Sequence, residues 1–283
     1  MNNKLIISIV ILTGIFIALF VNVYSIFPFG NKETEAAVTD STDELNLKIS
    51  DAETKVIPVK DNKVRAELKG KGDLNVWHSG NTVNVEYKSN WFEWFLAGEN
   101  QVTIYLPEDY NRDMSVNVGS GSLTFDHNDS QPFELNEFSL NIGSGEVNLN
   151  NLTAKHFDHD GSSGDLAIET LKTVTSEFNI SSGSAAIKNF SGKINGEVSS
   201  GELLIQMNQL TDSIEFDVSS GDVELDLPTE SDFTLKGNAS SGEITYDFPL
   251  NSVKENDEKI EGTHGSGKHS IDLNVSSGSI ELY

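Results

Sequence analysis

Acidic side chains recur at one position of a repeating pattern. Glu146, Asp165, Glu202, Asp222 and Glu243 each follow directly on a Ser-Gly pair, and Ser122, Ser184 and Ser279 hold the same position elsewhere. Carboxylate oxygens suit hard cations such as Ca²⁺ or Mg²⁺. If successive repeats stack in register, Glu202, Asp222 and Glu243 form an uninterrupted column, and a divalent ion would relieve the repulsion within it. The alternative is a solvated polar face, since the denser glycine-aspartate pattern of calcium-binding β-roll repeats is missing. No other cofactor is expected.

Other stretches also carry reactive residue types. His156 and His159 resemble a metal pair, but residues three apart on a strand point to opposite faces. The period predicts His159 buried and His156 exposed. Residues 262–268 (GTHGSGK) match the first seven positions of a phosphate-binding loop. His269 then stands where Ser or Thr would bind Mg²⁺, and no helix follows, so the stretch reads as a glycine-rich turn. Ser, His and acids would allow a Ser-His-Asp site by count alone, yet no G-x-S-x-G elbow lies between a strand and a helix. The cluster Trp91-Phe92-Glu93-Trp94-Phe95-Leu96 holds two of the three Trp. Its apolar residues cannot all enter a core of period two. Trp91, Phe92, Trp94 and Phe95 are therefore candidates for a partner-binding surface, the alternative being a cap over the open end of the first repeat.

These side chains need elements to hold them, and the repeat supplies those. Ser-Gly cores centre on Gly121, Gly145, Gly164, Gly183, Gly201, Gly221, Gly242 and Gly278, at spacings of 24, 19, 19, 18, 20, 21 and 36 residues. Two positions after each glycine come Leu123, Val147, Leu166, Ala185, Leu203, Val223, Ile244 and Ile280. Apolar residues recur again two positions further on, and polar residues mostly separate them. Period two means strands with one buried face. Each unit thus reads as strand, tight corner, strand, with glycine supplying unusual backbone angles and serine hydroxyls forming a ladder. One unit of about 20 residues cannot bury its apolar face alone, whereas stacked units can. The expected fold is all-β: a single-stranded β-solenoid, favoured over a β-sandwich because the same corner sequence returns at every turn. Residues 45–110 form the first coils or a cap, and 111–283 the Ser-Gly coils. The chain stops at Tyr283, just past the last apolar position. An open sheet edge there would allow a homo-oligomer through the C-terminal coil.

The N-terminus differs in kind. Residues 5–29 carry no charge, long enough for a membrane-spanning helix of about 20 residues. A cleaved signal has a shorter core, and Ala36-Ala37 lies too far beyond this one to suit as a cleavage site. Lys4 before the span and Glu33, Glu35 and Asp40 after it put the N-terminus in the cytoplasm and the body outside the cell membrane. Residues 1–30 then form tail and anchor, 31–44 a polar linker, and 45–283 the extracytoplasmic body. The whole chain has 19 basic and 44 acidic residues; with Lys4 set aside, 18 against 44 leaves −26 on residues 31–283. So acidic a body repels phosphate, which excludes direct nucleic-acid binding. With no Cys, disulfides, thiolate metal sites and Cys nucleophiles are excluded too.

The corners FDVSSGDVEL (216–225), VSSGELLI (198–205) and LNVSSGSIEL (273–282), with the N-terminal anchor, resemble a family of bacterial membrane-anchored proteins regarded as adhesins. That family is a domain of unknown function and includes the LiaG-type proteins of cell-envelope stress operons. The late element GSGKHSIDLNVSSGSIEL (265–282) is similar to its C-terminal signature. The resemblance implies a β-solenoid at the outer face of a bacterial membrane and brings no catalytic residues. The expectation is a non-enzymatic binding or scaffold protein that engages a protein or cell-wall component. A self-assembling structural solenoid is the alternative, and a polysaccharide-acting enzyme a third reading, for which the even spread of acids gives no focus.

Overall fold

The computed structural model describes residues 32–89, 100–125, 132–256 and 258–283. The anchor expected at 5–29 lies outside them, as do Trp91, Phe92, Trp94 and Phe95. Among the described residues there is no helix long and apolar enough to cross a membrane. All regular structure there is β. The first strands are β1 (Lys32–Ala37), β2 (Glu44–Ile49), β3 (Glu53–Val59), β4 (Lys63–Lys69), β5 (Asp73–Ser79), β6 (Thr82–Lys88) and β7 (Gln101–Pro107). The repeat region holds β8 (Asp113–Val118), β9 (Ser122–Phe125), β10 (Phe133–Ile142), β11 (Glu146–Gly161), β12 (Asp165–Ile180), β13 (Ser184–Val198), β14 (Glu202–Met207), β15 (Ile214–Val218) and β16 (Asp222–Asp226). The last part holds β17 (Phe233–Ala239), β18 (Glu243–Tyr246), β19 (Asn251–Asn256), β20 (Lys259–His264), β21 (His269–Val275) and β22 (Ser279–Leu282).

Strands before the corners and strands after them form two parallel ladders, the walls of a solenoid-like stack. Before the corners the order is β6, β2, β8, β10, β11, β12, β13, β15, β21, β17. After them it is β7, β3, β9, β11, β12, β13, β14, β16, β22, β18. The long strands β11, β12 and β13 serve both walls. Spatial order departs from chain order at both ends. Coil β2–β3 lies between β6–β7 and β8–β9, and coil β21–β22 lies between β15–β16 and β17–β18.

Antiparallel strands finish each end. β4 pairs with β7 and β1 with β4, β5 pairs with β6, and the β19–β20 hairpin continues from β17. Two sequence expectations are corrected here. The terminal strand β22 is no open edge, because β16 and β18 flank it. The stretch 31–44 is not all linker, since β1 occupies part of it. Four consecutive polar residues open this edge strand, which is held by cross-strand ion pairs, Lys63–Glu35 at 2.6 Å and Arg65–Glu33 at 3.4 Å.

Alternation puts the apolar set between the walls. Phe138, Phe157 and Phe178 are almost wholly buried, with ring centroids 5.8 and 5.4 Å apart from the first to the second and the second to the third. The corners stack through main-chain bonds rather than hydroxyls: Ser144 N–H donates to Gly119 O at 2.7 Å, and Ser200 N–H to Ser181 O at 2.8 Å. Nor are the corner glycines there for unusual angles, since positive φ occurs at other glycines, such as Gly80 and Gly265. Their requirement is steric. A Cβ on Gly183 would come within 3.0 Å of the Gly164 carbonyl oxygen, and one on Gly278 would do the same against Gly221.

Candidate binding surface

The residue directly after each corner points outward, and register aligns these residues into one column. Its order is Glu53, Ser122, Glu146, Asp165, Ser184, Glu202, Asp222, Ser279, Glu243. Glu202 and Asp222 are neighbours, but Ser279 separates Asp222 from Glu243. The expected uninterrupted column of Glu202, Asp222 and Glu243 is therefore broken, because the last coil inserts before the coil that carries Glu243. Among the described residues, no group of three or more His, Cys, Asp or Glu is arranged to hold a metal ion.

Neutral donors offset part of the repulsion. The Ser184 hydroxyl donates to Asp165 Oδ1 at 2.6 Å, Gln101 Nε2 to Glu53 Oε2 at 3.0 Å, and Ser279 to Asp222. The outer face of the other wall repeats the device with amides. Asn179 Nδ2 donates to Asp160 at 3.2 Å, Asn274 to Asp217 at 2.8 Å, and Asn238 to Asn274 at 2.9 Å. Each such bond joins adjacent coils, so the polar ladder follows the register of the main chain. Where carboxylates crowd, the cost shows. Partial burial, reinforced by Asp160, Glu177 and Glu137, raises the pKa of Asp158 above the usual carboxylate value.

The two histidines part as period two requires. His156 is exposed, with Nδ1 2.7 Å from Thr175 Oγ1. His159 is buried, and its Nδ1–H donates to the Leu140 carbonyl at 3.2 Å. Burial holds its pKa down at about 4. A Cβ at Gly161 would lie 3.0 Å from His159 Nε2, so that glycine, which interrupts the apolar pattern, leaves room for the ring.

The glycine-rich turn binds an anion of its own chain. Asp232 accepts from the Ser266 hydroxyl at 2.6 Å and from the N–H groups of Gly267 at 2.6 Å and Lys268 at 3.0 Å. These bonds, Ser266 first, pull its pKa down to about 2. His264 is fastened as well, with Nδ1 3.0 Å from Pro249 O and Nε2 3.1 Å from Thr229 O. Sequence reasoning missed Asp232, which lies 34 residues before Ser266. The available signal was the turn's row of free amides, which call for an acceptor.

This architecture has relatives. The family model described as Toastrack DUF4097 matches residues 42–283. The chain belongs to the Toastrack family. Solved structures similar to this Toastrack chain include a candidate adhesin from Bacteroides fragilis, 14% identical with a TM-score of 0.51, covering 90% of this chain and 97% of that one. Another candidate adhesin, from Parabacteroides distasonis, is 12% identical with a TM-score of 0.52, covering 90% and 98%. At such identity the likeness extends to the fold alone. No curated protein matches this Toastrack chain.

Proposed function

We propose that this Toastrack chain is a non-enzymatic, membrane-anchored binding or scaffold protein of the bacterial cell envelope, adhesin-like in use. The observation that carries the reading is the pair of outer walls, on which polar side chains repeat coil after coil in fixed register. Such a surface offers an extended partner, a protein or a cell-wall component, many equivalent contacts rather than one converging site. The charge-free stretch 5–29, with Lys4 before it, supports an anchor with the body outside. Fold relatives described as candidate adhesins favour adhesion. The resemblance to envelope-stress proteins favours a use under stress.

Crosslinking the full chain in intact cells, then identifying what is attached, tests the reading. Adducts with surface proteins or wall fragments are expected, and external protease should remove the body. A body shielded from protease in cells whose wall has been opened would overturn the topology, and a crosslinked chain without adducts would overturn the binding role.

A further inference from the structure

The C-terminal end of the stack is a step. Before the corners, the wall continues past β17 by two strands, β20 and β19. After the corners, the other wall stops at β18, which pairs with β22 alone among the described strands. At about 4.8 Å per strand, the β19–β20 hairpin therefore stands roughly 10 Å beyond the β18 edge. A groove of about 500 Å³ lies in this step, with Glu243 and Ile244 on one side and Glu255, Glu258, Ile260 and a single base, Lys259, on the other, so that acids outnumber bases three to one.

The floor of the groove is a ladder unused among the described residues. Glu243 N–H donates to Gly278 O at 3.0 Å and Asp247 N–H to Leu282 O at 2.9 Å, so alternate residues bond to β22. The N–H and C=O groups of Ile244 and Tyr246 then point the other way, into the step. Other terminal strands carry the charges that discourage pairing, Glu33 and Glu35 on β1, Lys254 and Glu255 on β19. The edge of β18 carries one charge, Glu243, and has no Lys and no Pro.

Its chemistry selects an occupant. A strand laid beside β18 would alternate its side chains between the apolar end of the core, at Ile244 and Ile260, and the outer side, beside Glu243. The wall adds Glu258 and Glu255, the latter already accepting from the Tyr246 hydroxyl at 3.2 Å and keeping its other oxygen for a basic side chain. A second copy would bring a formal charge of −25 to this acidic step and is disfavoured. We infer that the step is a docking site for an extended peptide segment of alternating basic and apolar residues, added to β18 as one more strand. This rests on the binding role proposed above and names a partner class for it.

The test uses the full chain in detergent and a fluorescent peptide of alternating Lys and Val, titrated by anisotropy at physiological salt. A copy of the peptide N-methylated at every second residue keeps the charge but loses the ladder. Saturable binding is expected, at least tenfold weaker for the methylated peptide. The exposed double substitution Glu255→Lys/Glu258→Lys should also weaken binding at least tenfold with little change in Tm, since the Tyr246–Glu255 hydrogen bond it removes is exposed. Equal affinity for both peptides, or indifference to the charge reversal, would reduce the effect to general attraction and overturn the inference. So would an absence of binding, or self-association that the charge reversal strengthens, which would make a second copy the occupant. Cellular adducts without peptide binding would sink this site alone. Peptide binding without cellular adducts would sink the cellular role alone.

Discussion

The Ser279 hydroxyl donates a hydrogen bond to the Asp222 carboxylate across 57 positions of sequence. On its other side Ser279 faces Glu243. One neutral residue from the end of the chain thus separates two carboxylates that chain order would make neighbours. The same insertion turns the last coil into an interior one, with parallel partners on both sides in both walls.

That placement sets an energetic expectation. Leu273 in β21 and Leu225 in β16 are both almost wholly buried. Leu273→Ala should therefore cost as much as Leu225→Ala, about 3 kcal/mol by urea unfolding. Among the described residues, β17 and β18 are tied by strand pairing to the earlier coils only through β21 and β22, so amide exchange in β17 should also quicken in the Leu273 variant. A cost below about 1 kcal/mol would mean that β21 behaves as a frayed end.

How far this architecture was legible follows from where the pattern is local. Period two and the Ser-Gly corner are written within single repeats, so the strands, their buried faces and the split between His156 and His159 could be read directly. Coil order is a long-range property. Nothing local distinguishes the corner at Gly242 from the one at Gly278, and only the 36-residue interval between them marks the hairpin inserted there. At the other end the β2–β3 corner reads Ser50-Asp51-Ala52, so the coil beside Gly121 carries no Ser-Gly signal, although the Ala52 carbonyl would crowd a Cβ on Gly121. The partner of the glycine-rich turn was hidden for the same reason: Asp232 is remote in sequence and adjacent only once β17 has paired with β20.

The corner glycines and the left-handed glycines should respond differently to substitution. Gly80 has φ +61° and nothing within 4 Å of an added Cβ, so Gly80→Asn, which tolerates that conformation, should change stability by well under 1 kcal/mol. At Gly183 the obstacle is a carbonyl oxygen of the coil below. Gly183→Ala and Gly183→Asn should both be destabilising, by about 1–3 kcal/mol or more, since the main chain cannot yield without parting the coils. Thermal unfolding of the three variants measures this. Rescue of Gly183 by Asn would restore a conformational explanation.

Stability should fall with acid through His159. Its folded pKa of about 4 lies below the ordinary value of 6.5, so the unfolded chain binds the proton more readily. The neutral ring's contribution is complete above pH 6.5, declines as pH falls from there towards 4, and is lost below. The difference corresponds to about 3 kcal/mol. His159→Leu should flatten the pH dependence of urea unfolding between pH 6.5 and 4. An unchanged slope would assign the acid sensitivity to the carboxylates instead.

Ser279→Asp tests whether the outer column is electrostatically tuned. The substitution would join Glu202, Asp222 and Glu243 into a run of four acids in adjacent coils. It removes the hydroxyl donor to Asp222 and sets like charges opposite each other on both sides. Each such pair costs about 0.2–1 kcal/mol, so a total loss of about 1–2 kcal/mol is expected at low ionic strength. These side chains are at the surface, and added salt should recover a good part of that loss. Millimolar Ca²⁺ should recover more than matched ionic strength of NaCl, because the restored column presents the oxygen ligands that Ser279 interrupts in the natural chain. Equal recovery by the two salts would mean that the column screens charge without gathering ions, and a loss insensitive to salt would mean that Ser279 matters through its hydrogen bond alone.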